Sequence, residues 1–233
     1  MQLESQARIR NPSAHMIQAV VLDFDGLILD TETAVYESWR RTWEDHGHVL
    51  PLDKWQQNLG TDGRGFHPLR ELEARIGQRF EDEEAVMASR RRVRDEILEG
   101  LSPMPGILEL LEAAALDGLG RALASSSPRS WVEPHLEQLG LRRYFDHVVT
   151  RDDVEYAKPR PDLYLESVSR LGVGPSAAVA FEDSPNGVTA AKAAGLFCVA
   201  IPCDLTRTLG FDHADLRIHS LADHSLETLL AKF

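Results

Sequence analysis

The sequence lacks the features that mark secreted, membrane-spanning or nucleic-acid-binding proteins. Its 233 residues include only two cysteines, Cys198 and Cys203, too few for a disulfide framework. No apolar run approaches the length of a membrane span or of a signal peptide. Acidic residues outnumber basic ones by 37 to 25, which argues against the broad basic face that nucleic acid or acidic lipid would need. We therefore expect a cytoplasmic protein that binds neither nucleic acid nor membrane.

The overall composition is that of a packed globular protein. Hydrophobic residues make up 43% of the chain and charged residues 27%. The length suits one large domain, or a core that carries an insertion. Residues 1–15 are polar and are predicted to form a mobile lead-in.

Short apolar runs alternate with segments of helical period through most of the chain. Such runs are typical of strands buried on both faces of a parallel sheet. The alternation predicts an α/β fold built on a doubly wound parallel sheet. Ser127 and Ser184 each precede a proline and are predicted to be helix N-caps. The predicted strands are residues 19–24, 121–125, 147–150, 177–181, 197–201 and 216–219, and the predicted helices of this core are 107–116, 128–139, 161–171, 185–194 and 222–230.

One long interval, residues 33–101, contains no good strand. Its helical patterns predict an inserted all-helical cap between core segments 16–32 and 102–233, able to close over the sheet edge. A run of arginines lies on the last of these helices, and we interpret it as a solvated face, with steering of an anionic substrate as the alternative. The predicted cap helices are residues 33–46, 52–58, 66–76 and 82–99, and the arginines are Arg90, Arg91, Arg92 and Arg94.

Polar residues follow several predicted strands. Ligands of an open parallel sheet bind outside the carboxyl ends of its strands, so these side chains are expected to meet at one rim. The residues are Asp23, Asp25 and Gly26 after the first strand, Ser125 and Ser126 at the end of the second, Lys158 eight residues after the third, and Glu182 and Asp183 after the fourth.

Four carboxylates gathered at one rim predict a divalent cation. Their mutual repulsion is tolerable only beside positive charge, and hard oxygen ligands select Mg²⁺. Lys158 supplies a further positive charge, and Ser125, with the N–H groups of the helix start after it, offers donors to an anion. The set predicts a phosphoryl-transfer site. Each motif alone has a plainer explanation, as a solvated strand end, a helix cap or a surface lysine, but their coincidence at successive strand ends does not.

The pattern resembles the haloacid dehalogenase superfamily, and within it the β-phosphoglucomutase-like phosphatases with a helical cap. The matching segments are VVLDFDGLILDTE from Val20, ALASSS from Ala122, AKPRPDLY from Ala157 and AFEDSPNGVTAAKAAG from Ala180. The resemblance extends to about Ile201, whereas the cap matches only in position and helical character.

The resemblance implies a role for each of these residues. Asp23 would be the nucleophile that forms an aspartyl-phosphate, and Asp25 would protonate the leaving alkoxide and then activate water. Ser125 would bind the phosphoryl oxygens, and Lys158 would tie the nucleophile to the transferring group. Mg²⁺ would be held by the Asp23 carboxylate, the Asp25 carbonyl and Asp183, with Glu182 as a further ligand or an orienter of metal-bound water.

The expected function is hydrolysis of a small phosphate monoester such as a phosphosugar. A phosphosugar mutase is the alternative within the family, although Val35 stands where those mutases carry a histidine. Ser126, Gly26 and Arg64 are predicted to contact substrate, Arg64 being about one residue from an arginine of the mutases. A non-catalytic phosphate-binding regulatory protein is the alternative of another class.

Overall fold

The computed structural model describes residues 17–61 and 65–233. The predicted lead-in of residues 1–15 and the predicted substrate contact Arg64 lie outside the described residues.

The core is a six-stranded parallel sheet in the order β3-β2-β1-β4-β5-β6. This confirms the predicted fold class. β1 lies inside the sheet between β2 and β4, and its four residues are all buried. The strands are β1 (Ala19–Leu22), β2 (Gly120–Ser125), β3 (His147–Thr150), β4 (Ala178–Glu182), β5 (Phe197–Ala200) and β6 (Leu216–Arg217).

The two faces of the sheet carry separate hydrophobic clusters. Side chains alternate along a strand, so Val20 and Leu22 of β1 enter one cluster while Ala19 and Val21 enter the other. Helices cover both faces, which explains why β1 has no polar position. The helices of the core are α5 (Ile107–Leu116), α6 (Arg129–Gln138), α7 (Asp162–Leu171), α8 (Pro185–Ala193) and α9 (Leu226–Leu230).

In the described part of the chain, four helices lie between β1 and α5, where the sequence predicted them. They surround a third hydrophobic cluster that includes Trp39, Trp43 and Trp55. The first begins at Thr31, two residues earlier than predicted, because the carboxylate of Asp30 accepts a hydrogen bond from the Thr33 amide (3.2 Å). We call α1 (Thr31–Asp45), α2 (Leu52–Gln56), α3 (Pro68–Ile76) and α4 (Glu83–Leu98) the inserted helices.

Two predictions about individual side chains are wrong. Ser184 caps α8 as expected, but Ser127 does not cap α6: the N-cap position is Pro128, and the Ser127 side chain turns to Asp25, to whose Oδ2 its hydroxyl donates (2.6 Å). The arginine run of α4 is not one solvated face. Arg90 is 7% exposed with its guanidinium 5.1 Å from the ring centroid of Trp39, and the Arg94 side chain is 18% exposed.

No helix among the described residues is both long and apolar enough to cross a lipid bilayer.

Candidate active site

The carboxylate of Asp23 lies directly beyond β1 and forms a buried ion pair. Its backbone N–H continues the sheet ladder by donating to the carbonyl of Phe181 (3.0 Å), which fixes where the side chain emerges. Nζ of Lys158 donates to Oδ1 of Asp23 and to Oε1 of Glu182, both at 2.6 Å. The side chains of Lys158, Asp23 and Glu182 are 1%, 5% and 0% exposed. Residues far apart in the chain therefore share one buried pocket.

Asp183 completes a cluster of three buried carboxylates. Ligand oxygens of Asp23, Glu182 and Asp183 all lie within 4.8 Å of one another. Oδ2 of Asp183 is buried and meets no hydrogen-bond donor in the described part of the chain. An unsatisfied carboxylate oxygen among acidic neighbours fits a bound cation, because burying it alone is costly. The donor set consists of hard oxygens, as Mg²⁺ requires.

Gly26 makes the close approach to this cluster possible. A Cβ at this position would lie 2.1 Å from Oδ2 of Asp183, and the backbone φ of +82° also disfavours a side chain. The Gly26 N–H donates to the carbonyl of Leu29 (2.8 Å), so it is engaged within the loop. The glycine thus leaves room at the place where the unpartnered oxygen lies.

Burial and mutual repulsion disfavour the ionisation of all three carboxyl groups unless a further cation is bound. Burial, together with the charge of Glu182, raises the pKa of Asp23 to about 8 even though Lys158 lowers it. Burial and the charge of Asp23 raise the pKa of Asp183 well above its usual range. Burial opposes the charge on Lys158, but the two carboxylates beside it raise its pKa overall. One lysine therefore does not neutralise the pocket, and a divalent cation would.

Asp25 is held apart from the three-carboxylate cluster. Oδ1 accepts hydrogen bonds from Thr31 Oγ1 (2.7 Å) and Trp131 Nε1 (2.8 Å). Oδ2 accepts from Ser127 Oγ (2.6 Å) and, at 3.3 Å, from Ser125 Oγ. The carboxylate is thus fully oriented by its neighbours. Its predicted metal contact is through its backbone carbonyl, which this side-chain arrangement leaves untouched.

Ser125 and Ser126 lie at the end of β2 beside these groups. Ser125 is fully buried, and its hydroxyl also accepts a hydrogen bond from the Ser127 amide (3.0 Å). The hydroxyl of Ser126 donates to the carbonyl of Gly60 (3.1 Å), in the segment after α2. Ser126 therefore contacts the inserted helices as well as bordering the pocket.

The inserted helices dock on the core through this segment. Nδ2 of Asn186 donates to the carbonyl of Leu59 (2.9 Å), and Nε2 of Gln56 donates to that of Leu205 (2.7 Å). The carbonyl of Gln57 lies 3.5 Å from the same Asn186 nitrogen. A Cβ at Gly60 would lie 2.1 Å from Oγ of Ser184, the residue after Asp183, so the segment passes beside the carboxylate cluster.

Tyr164, Glu32 and Trp131 are among the residues of the site that the sequence did not reveal. Tyr164 lies within the AKPRPDLY segment, and its hydroxyl donates to Oε1 of Glu182. Glu32 ends the first motif; burial and then the charges of Asp25 and Asp23 raise its pKa to about 8. Motif membership could have drawn attention to both of these residues. Trp131 gave no such signal, since an aromatic residue on an amphipathic helix indicates core packing.

With this geometry in view, comparison with known proteins identifies the family. Residues 17–195 match the family described as haloacid dehalogenase-like hydrolase. The chain belongs to this family of hydrolases, as its sequence motifs predicted.

Individual relatives agree with that assignment. YhcW of Bacillus subtilis, provisionally named a phosphatase, is 46% identical over 92% of this chain and 97% of its own length. The phosphorylated carbohydrates phosphatase of Thermotoga maritima is 35% identical over 77% of this chain and 82% of its own length. The crystal structure of β-phosphoglucomutase from Clostridium difficile has a TM-score of 0.72 at 22% identity, covering 93% of this chain and 97% of that one, and so shares the fold. The predicted class of enzyme, a phosphoric monoester hydrolase, is confirmed.

Proposed function

We propose that this hydrolase is a Mg²⁺-dependent phosphatase that cleaves a small phosphorylated metabolite, preferably a phosphosugar, through an aspartyl-phosphate. The observation that carries the proposal is the buried set of Asp23, Glu182 and Asp183 around the unpartnered Oδ2 of Asp183, with Lys158 bonded to Asp23. Phosphoryl transfer depends mainly on position and charge, and this pocket concentrates both.

Asp23 is the proposed nucleophile. Its carboxylate attacks phosphorus while the P–O bond to the alcohol breaks, which leaves the phosphoryl group on Asp23. Lys158 holds the attacking carboxylate in place through a 2.6 Å hydrogen bond and balances its charge. Asp23, Asp183, Glu182 and the backbone carbonyl of Asp25 would hold Mg²⁺, which when bound supplies the positive charge that the phosphoryl oxygens require.

Asp25 is the proposed acid and base. It gives a proton to the departing alkoxide oxygen and later takes one from the water that attacks the aspartyl-phosphate. Phosphate leaves and both carboxyl groups return to their starting states. Ser125, whose hydroxyl lies 3.3 Å from Oδ2 of Asp25, is close enough to contact the same phosphoryl group.

The proposed substrate class is supported by the name of a relative and by the inserted segment beside the site. The Thermotoga relative is named for phosphorylated carbohydrates, and the pocket is bordered by the segment around Gly60, which favours a small ester over a polymer. We propose that the protein acts on this small metabolite in the cytoplasm and binds neither nucleic acid nor membrane.

Phosphate release from a panel of monoesters, with Mg²⁺ or with EDTA, tests the proposal. The panel comprises glucose 6-phosphate, fructose 1-phosphate, glycerol 2-phosphate and p-nitrophenyl phosphate. We expect turnover with Mg²⁺, loss of turnover in EDTA, and no turnover by Asp23→Asn, while Asp212→Asn at an exposed position remains active. A wild-type chain that binds phosphate and Mg²⁺ but hydrolyses none of these esters would instead be a phosphate-binding regulatory protein.

The mutase alternative is tested with β-glucose 1-phosphate. Val35, which stands where the mutases carry a histidine, packs against the apolar cluster of the inserted helices and offers no polar group. We expect free phosphate as the product. Accumulation of glucose 6-phosphate would establish the mutase.

A further inference from the structure

The indole of Trp131 is the most unusual partner of Asp25. Its Nε1 lies 2.8 Å from Oδ1 and donates to it, whereas the other three donors are the hydroxyls of Thr31, Ser125 and Ser127. Trp131 belongs to α6, so the contact joins a helix on the face of the sheet to the loop that follows β1.

The ring of Trp131 is fixed on more than one side. The guanidinium carbon of Arg94, on inserted helix α4, lies 4.8 Å from the ring centroid. The ring of His135 has its centroid 4.5 Å away, and Nδ1 of His135 donates to the carbonyl of Trp131 (2.7 Å). A ring held in this way presents its N–H in one direction only. Because Arg94 belongs to α4, the orientation of the indole N–H also depends on the position of that helix.

An indole differs chemically from a hydroxyl as a partner for a carboxyl group. A hydroxyl can donate or accept, so Ser125 and Ser127 can hydrogen-bond to Oδ2 of Asp25 whether or not this oxygen carries a proton. The indole N–H can only donate, so Oδ1 beside it must remain an acceptor throughout the cycle. The oxygen of Asp25 that exchanges the proton is then Oδ2, which faces the end of β2.

We propose that Trp131 is a positioning residue for proton transfer: its N–H, held by Arg94 and His135, fixes the orientation of Asp25 so that Oδ2 faces the leaving oxygen. This rests on the proposed function of Asp25 as the acid and base. A carboxyl group free to rotate would present the wrong oxygen for part of the time, and the loss would fall on the step that needs the proton.

The leaving group of the ester separates this role from a structural one. An alkoxide needs a proton to depart, whereas p-nitrophenolate does not, and kcat/KM reports the steps up to release of the alcohol. The experiment compares kcat/KM for p-nitrophenyl phosphate with that for the best alkyl phosphate of the panel. Trp131→Phe keeps a ring under Arg94 but removes the N–H. We expect it to lower the alkyl value about tenfold more than the aryl value, a part of the roughly 100- to 10,000-fold that acid–base catalysis contributes.

Trp43→Phe is the matched control. Trp43 also lies under an arginine, with the Arg75 guanidinium 5.1 Å from its ring, but its Nε1 has no partner among the described residues. We expect this variant to leave the ratio of the two kcat/KM values unchanged. Thermal unfolding of all variants establishes that they are folded.

The outcomes distinguish this inference from the proposed function. A wild-type chain inactive on every ester would refute the function. An active wild type whose ratio is unchanged in Trp131→Phe, or is changed equally by Trp43→Phe, would refute the role of Trp131. If Trp131→Phe does not fold, Arg94→Met decides, because it keeps the indole and removes the cation over it: we expect a shift of about threefold in the same direction, and no shift would overturn the proposal.

Discussion

Nζ of Lys158 lies 2.6 Å from Oδ1 of Asp23, and both side chains are almost completely shielded from water. The same nitrogen lies 2.6 Å from Oε1 of Glu182, so one ammonium group serves two carboxylates. Removing one partner from a buried charge cluster costs more than the pair itself contributes, because the remaining charges stay desolvated. Lys158 is therefore needed for the integrity of the pocket as well as for the position of the nucleophile.

Replacing this lysine is expected to affect both activity and stability. Lys158→Met should abolish measurable phosphatase activity and lower the free energy of unfolding in EDTA by about 3–5 kcal/mol. Lys192→Met is the matched control, since Nζ of Lys192 lies at the same 2.6 Å from Asp215 but its side chain is 32% exposed. We expect the control to change stability by at most about 1 kcal/mol. Denaturant titration and phosphate release measure the two effects, and equal destabilisation by both variants would contradict the argument.

Most of this fold could be predicted from the sequence, because the local sequence patterns agree with the burial that the structure shows. Helix α5 was predicted with its observed bounds, Ile107–Leu116, and the all-apolar β1 could only be an interior strand. Strand order, in contrast, depends on how distant segments pack, and the sequence pattern does not contain it. β6 has only two residues, Leu216–Arg217, so its predicted length was wrong.

The site was predictable where residues follow strands and unpredictable where they come from helices. Asp23 and Asp183 are located by the ends of β1 and β4, which parallel pairing aligns. Trp131 and Arg94 meet through the packing of α6 and α4, which no periodicity reveals. The failed N-cap at Ser127 has the same origin, because a tertiary partner, Asp25, replaced the local one.

The close approach of Gly26 to the carboxylate cluster predicts that a side chain at this position weakens metal binding. Gly26→Ala would place a Cβ 2.1 Å from Oδ2 of Asp183, so the carboxylate must move away from the cation site. We expect Mg²⁺ affinity to fall at least about tenfold, of the order seen when metal-site geometry is disturbed. Gly47→Ala is the matched control, with a similar φ of +75° but no atom within 4 Å of the added Cβ.

Calorimetric titration with Mg²⁺ measures the affinity of both variants. Backbone strain is common to the two and costs about 1–2 kcal/mol of stability. Only Gly26→Ala should bind Mg²⁺ more weakly than wild type. Unaltered Mg²⁺ affinity in Gly26→Ala would show that Asp183 does not hold the cation.

The raised pKa of Glu32 predicts how stability depends on pH in the metal-free protein. On folding the pKa rises from 4.5 to about 8, so between these values the folded chain retains a proton that the unfolded chain has lost. Stability then falls as pH rises through this window. Glu32→Gln removes the effect.

Denaturant titrations of Glu32→Gln and wild type in EDTA, from pH 5 to pH 8, measure this dependence. We expect the variant to gain at least about 1 kcal/mol of stability relative to wild type across the range, because a pKa that differs by one between the folded and unfolded chains already corresponds to about 1.4 kcal/mol. A difference between the two proteins that does not change with pH would contradict the assigned environment of Glu32.

The hydrogen bond between Asn186 and the segment after α2 predicts how the inserted helices help to hold substrate. Its Nδ2 donates to the carbonyl of Leu59 at 2.9 Å, and the neighbouring Gly60 is held by Ser126, so the segment borders the pocket through two hydrogen bonds. Asn186→Ala removes one of them, worth about 1 kcal/mol, and should raise KM about fivefold with little change in kcat, because the catalytic carboxylates are untouched.

Thr189→Ala, one turn further along α8, is the matched control for this change. The hydroxyl of Thr189 donates to the carbonyl of Pro185 in its own helix (2.8 Å), so its loss leaves the inserted helices untouched. Amide exchange at residues 57–61 should quicken in Asn186→Ala and remain unchanged in Thr189→Ala, since only the first loses a bond between the helices and the core. If KM rises without faster exchange, Asn186 acts on the substrate directly, and the segment owes its position to its other contacts with the core instead.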